Sequence, residues 1–124
     1  MEKVTGIGGV FFRAAAPATL AAWYRDHLGV DPVSETGAWT QTAGPTVFAP
    51  FSQDTTYFGD PAQAFMINFR VADLAAMIAQ LEAAGITVET RADWDSPEIG
   101  RFARIHDPEG NPIELWEPAA GAGA

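Results

Sequence analysis

Apolar residues recur along this chain with two periods, and the points where one period gives way to the other mark out its elements. Leu20, Trp23, Tyr24, His27 and Leu28 fall at three- and four-residue spacing, the stripe of an amphipathic helix. Pro17 is tolerated in the first turn of that helix, and Gly29 sits where a left-handed residue would close it. Leu74, Met77, Ile78 and Leu81 draw a second stripe, with Asp73 as its N-cap and Gly85 at its end. A strand-like run precedes each helix, at 7–13 and at 65–71. Short β-type runs follow, at 30–34, 38–42 and 46–51 after the first helix and at 87–90, 102–106 and 112–117 after the second. Turns rich in Gly, Pro, Asp and Ser part them. Each half therefore reads βαβββ. The pattern predicts one α+β domain over 1–118, with one module at about 4–52 and another at about 64–118. Residues 53–63 read as an ordered linker packed through Tyr57, Phe58 and Pro61, and the Ala/Gly tail at 119–124 as frayed.

The closing turn and strand hold the densest chemistry. Asp107, Pro108, Gly110 and Asn111 crowd one turn, and the strand after it places Ile113 and Leu115 on one face, Glu114 and Trp116 on the other. If 102–106 and 112–116 pair as a hairpin, His106 faces Pro112, Arg104 faces Glu114 and Phe102 faces Trp116, all six on one sheet face. Arg104 and Glu114 then make either an exposed ion pair worth ~0.2–1 kcal/mol or part of a cavity wall. In the second case Glu114 would orient a ligand or accept a proton. His106 reads as a residue satisfied by its own turn, with general base as the alternative. Trp39, Phe48, Phe51, Phe65, Met66 and Trp116 either line an apolar pocket or fill the core. The acidic loop 93–98 carries Trp94 as a lid, a dimer contact or a solvated loop with one aromatic anchor.

Composition narrows these choices. The 124 residues, 48% apolar and 19% charged, suit a single folded domain. Seven basic against sixteen acidic side chains give a net charge of −9, which argues against nucleic acid and anionic membranes as partners. No apolar run approaches the ~20 residues of a membrane helix, and Met1-Glu2-Lys3-Val4 lacks the features of a signal peptide, so a cytoplasmic location is expected. Cysteine is absent, leaving His27 and His106 as the only imidazoles. No phosphate-binding glycine loop or serine-nucleophile motif is present.

Three stretches, 20–29 (LAAWYRDHLG), 69–74 (FRVADL) with its helix to Gly85, and 107–115 (DPEGNPIEL), resemble in order and spacing the vicinal oxygen chelate superfamily, the glyoxalase, bleomycin-resistance and extradiol-dioxygenase group. The resemblance implies two βαβββ modules forming a curved, incompletely closed mixed β-barrel around a cavity, often as a homodimer. Metal-dependent members use four ligands, of which Glu114 matches the last. The other three positions fall near Gly9, near Met66 and among Val47, Phe48 and Ala49, none of which suits a hard divalent cation. The expectation is therefore a glyoxalase-like protein that binds a small organic molecule in an apolar cavity without cofactor or divalent metal. Glu114 would be its catalytic or anchoring group, with Arg104, His106, Trp116, Phe102, Met66, Phe48 and Trp39 around the ligand. The alternatives are a resistance-type sequestering protein, a lyase or dioxygenase whose metal uses other ligands besides Glu114, and a non-catalytic dimer.

Overall fold

A computed structural model describes residues 1–31 and 37–121. Helix α1 runs Pro17–Leu28 and helix α2 Leu74–Ala83. Three strands, β1 (Ile67–Arg70), β2 (Gly100–His106) and β3 (Pro112–Pro118), form one mixed sheet in the order β1-β3-β2. β3 runs parallel to β1 and antiparallel to β2. Among the described residues the sheet is open and does not close into a barrel.

The helices end where local chemistry ends them. Gly29 closes α1 with φ 71°, a left-handed conformation that costs glycine no Cβ clash. Asp73 accepts from the Ala76 amide at 3.0 Å, and the Glu117 carboxylate takes the Leu74 amide at 2.8 Å, so α2 has two caps. α1 has no side-chain cap at Ala16. Instead Glu109, far along the chain, accepts from the Ala15 and Ala16 amides at 2.7 and 3.0 Å.

Alternation decides the layers. Ile105, Ala103, Ile113 and Leu115 turn to one face of the sheet and bury against Leu20 and Tyr24 of α1 and Leu74 and Leu81 of α2. Trp116 is also buried, yet lies outside that cluster, on the opposite face.

The second half follows the sequence pattern with one reduction. The run at 87–90 contributes only the Glu89–Arg104 bridge. The first half departs from the pattern. Its helix forms, but 7–13, 38–42 and 46–51 pair with no strand among the described residues, and 30–34 falls largely outside them. Gly8, Gly9 and Pro50 interrupt those runs, and Gly6, Gly44 and Pro45 flank them, with residues that either weaken a strand or withhold an amide. Among the described residues, no helix is long and apolar enough to cross a membrane.

Candidate functional site

The face of the sheet turned away from the helices gathers the polar groups. The register sets Asn68 of β1, Glu114 of β3 and Arg104 of β2 side by side across the three strands. Arg70, Trp116 and Phe102 form the adjoining row. Phe102 and Trp116 stack with centroids 6.2 Å apart and planes 4° from parallel. The Trp116 indole donates to the Ile99 carbonyl at 2.9 Å. This tight return of the chain needs Gly100, whose φ of 133° and closeness to the Glu117 carbonyl leave no place for a Cβ.

Glu114 is the centre of the first row. One carboxylate oxygen accepts from the Asn68 amide at 2.7 Å, and the other accepts from the Tyr57 hydroxyl. The Tyr57 ring reaches over Arg104, with the guanidinium carbon 4.7 Å from its centroid, and Trp94 stands 5.5 Å away on the same cation. Such contacts stabilise a cation without neutralising it. Arg104 is only 9% exposed, its Nε finds no hydrogen-bond partner, and it makes no ion pair among the described residues. Burial, reinforced by the hydrogen bond and charge of Glu114, pushes the Tyr57 hydroxyl up to about 12 against the opposing pull of Arg104.

The other acids of the closing signature are occupied with structure. Asp107, 4% exposed, accepts from the Glu109 and Asn111 amides, the Asn111 side chain and the Tyr24 hydroxyl, the last at 2.7 Å. Burial first, then Asp107, raises the Tyr24 pKa well above the ordinary tyrosine value. Glu109 and Glu117 serve the two helix starts, as described above. Glu114 is thus the acid of that stretch that meets a polar cluster instead of a backbone terminus.

The family model for a glyoxalase-like domain matches residues 9–116. The chain belongs to the glyoxalase-like domain family. This glyoxalase-like chain is similar in fold to TnmS3, an antibiotic binding protein from Streptomyces sp. CB03234. That likeness spans 96% of this chain and 100% of the other at 21% identity, with a TM-score of 0.57. A glyoxalase/bleomycin resistance protein from the same organism shares 31% identity over 46% of this chain and 48% of its own, with a TM-score of 0.34. No curated protein matches.

Within this glyoxalase-like domain the hairpin register is as the alternation predicts: Arg104 opposite Glu114, Phe102 opposite Trp116 and His106 opposite Pro112. The direct Arg104–Glu114 ion pair is not formed. Tyr57 joins the two instead, its hydroxyl on the carboxylate and its ring on the cation. Trp94 packs over Arg104 as a partly buried cover; its loop is tied down by a bridge between Ser96 and Gly100 and by Asp95 accepting from the Phe102 amide at 3.1 Å. Trp39 falls away from the cluster. It meets Phe69, which alternation places on the helix side, edge-on at 6.3 Å. Phe48 is 84% exposed. Met66 directly precedes β1, and His106 is exposed at the far end of β2.

Two open clefts of about 860 and 570 Å³ are present, the larger bordering the cluster through Arg104. The larger is lined by Arg104, His106 and segment 85–90, the smaller by Phe11, Phe12 and segment 62–65, and Glu114 lines neither. Tyr57, Asn68 and Arg70 escape sequence reasoning. Tyr57 lies in a stretch with no hydrophobic period. The other two become neighbours of the hairpin only through the parallel β1–β3 register.

For a divalent cation the donor set is poor. Both Glu114 oxygens already accept hydrogen bonds, a guanidinium stands alongside, and no three His, Asp or Glu side chains cluster among the described residues.

Proposed function

We propose that this protein binds a small organic molecule on the Glu114 face of its sheet, without a divalent metal, and that it sequesters the molecule in preference to converting it. It would act in the cytoplasm as a homodimer, its first half completing a second module around an apolar cavity. The observation that carries this reading is the Glu114 cluster itself. A carboxylate, an amide, a phenol and a buried cation converge beside the stacked Phe102 and Trp116 rings, the combination of apolar platform and few polar groups that orients small ligands. Sequestration is favoured because both oxygens of Glu114 are engaged, which suits an anchor point. The antibiotic binding of the fold neighbour TnmS3 is in keeping with that choice.

A thermal-shift panel of aromatic compounds and antibiotics tests it. A hit should raise Tm for the native chain, not for Glu114→Ala, and be recovered chemically intact after incubation. Stoichiometric divalent metal that co-purifies with the native chain and is lost in Glu114→Ala would overturn the metal-free reading. Chemical conversion of the hit by the native chain would replace sequestration with catalysis.

A further inference from the structure

The way Tyr57 sits on the Glu114 face describes a ligand. Its ring covers Arg104 at 4.7 Å, meets Trp94 edge-on at 6.5 Å and stacks on Phe51 at 5.8 Å, while its hydroxyl donates to Glu114. The residue is held on a strap whose backbone bonds are short-range, Thr55 to Ser52 and Gly59 to Thr56 at 3.0 and 3.1 Å, and among the described residues that strap pairs with no strand. Beneath it, the buried Arg104 keeps an Nε hydrogen without an acceptor. A buried cation with no direct ion pair and one donor left without an acceptor is unfavourable, and an acceptor oxygen brought beside it relieves that cost. Glu114 and Glu89 stand on either side of Arg104 across the sheet, yet neither carboxylate pairs with its guanidinium.

We propose that Tyr57 occupies this position as an internal stand-in for the ligand, and that the ligand is a planar hydroxyaromatic compound bearing an acceptor oxygen beside its hydroxyl. The ligand hydroxyl replaces that of Tyr57 on Glu114, its ring takes the place over Arg104, and the acceptor oxygen meets the Arg104 Nε. This rests on the reading of the Glu114 face as the binding site, and it names the chemical class that site takes. Displacing the strap taxes the apparent affinity by the fraction of molecules in which the site is open.

Isothermal titration with 3-hydroxy-2-naphthoate, 3-methoxy-2-naphthoate and 2-naphthol tests it. The native chain should bind the hydroxynaphthoate about tenfold more tightly than either the methyl ether, which cannot donate to Glu114, or the naphthol, which lacks the second acceptor. Tyr57→Ala should tighten the hydroxynaphthoate by a further factor on the order of ten. Tyr57→Phe should shift affinity in the same direction by less, because its ring still covers Arg104 while its hold on Glu114 is gone. Circular dichroism establishes that both variants are folded, and Tyr57→Phe alone decides the matter if Tyr57→Ala is not.

Unchanged or weaker binding in the Tyr57 variants overturns the stand-in, since Tyr57 would then be a ligand contact. Equal binding of hydroxyl and methyl ether, lost in Glu114→Ala, overturns the hydroxyaromatic class while leaving the face as a binding site. Compounds from the broad panel that bind without regard to Glu114→Ala overturn the face itself, and the inference with it.

Discussion

The chain has two tyrosines, and each donates its hydroxyl to a carboxylate: Tyr24 to Asp107 and Tyr57 to Glu114. Neutral phenol is the form both environments favour, so the folded protein holds the two protons more tightly than the unfolded chain does. The sign follows from that. The stabilisation is fully present below the unfolded tyrosine pKa of about 10. For Tyr57 it is lost as pH rises through its folded value of about 12. A spectrophotometric titration should accordingly show little tyrosinate in the native protein near pH 10, where a denatured sample is about half ionised. Tyr57→Phe should fall less steeply in stability above that pH than the native chain, the remaining slope coming from Tyr24. Half-ionisation of either native tyrosine near its ordinary pKa would show that its carboxylate contact is not made in solution.

Among the elements, the 107–111 turn is the joint between β3 and α1. Asp107 fastens the turn internally and grips Tyr24, while Glu109 takes two amides ahead of α1 from 94 and 93 positions away. Asp107→Ala leaves the Tyr24 hydroxyl and the Asn111 side chain without a buried acceptor and should cost about 3 kcal/mol, read as a shift in urea midpoint at unchanged slope. Glu109→Ala removes a cap and should cost about 1 kcal/mol. Its effect should be local, appearing as faster amide exchange at the first turn of α1 with α2 unaffected. The turn chemistry of this stretch was legible in the sequence because Asp, Gly and Asn act on their own neighbours. The capping role of Glu109 was not, since nothing in a run of residues announces a partner that far off. The same distinction divides the site. Arg104, Phe102 and Trp116 could be set against one another because a period of two and a short loop define a hairpin register. Asn68 needed the parallel register across a helix, and Tyr57 sits where there is no period to read.

The whole molecule exposes more surface than its mass warrants. A folded monomer of 13.2 kDa should present roughly 6,400 Å², while this chain presents 8896 Å². The surplus, roughly 2,500 Å², is concentrated by residue type. Ile7, Val10, Phe11, Val47, Phe48 and Phe51 are all exposed, and all belong to the first half, whose runs at 7–13 and 46–51 pair with no strand among the described residues. Obligate homodimers remove about 1,000–2,500 Å² from each partner, so a second copy seated on this half would account for the excess. It would also supply the strand edges that those runs lack. The proposed dimer therefore makes a specific prediction. Light scattering on eluted protein should give twice the chain mass at micromolar concentration, and Phe11→Glu or Phe48→Glu should shift the mass toward that of one chain. Because each copy carries a net charge of −9, repulsion opposes association and added salt should strengthen the dimer, the reverse of what a charge-paired interface would do. A monomer of unchanged mass at high salt and high concentration would mean that no second copy covers the first half, and would overturn the dimer.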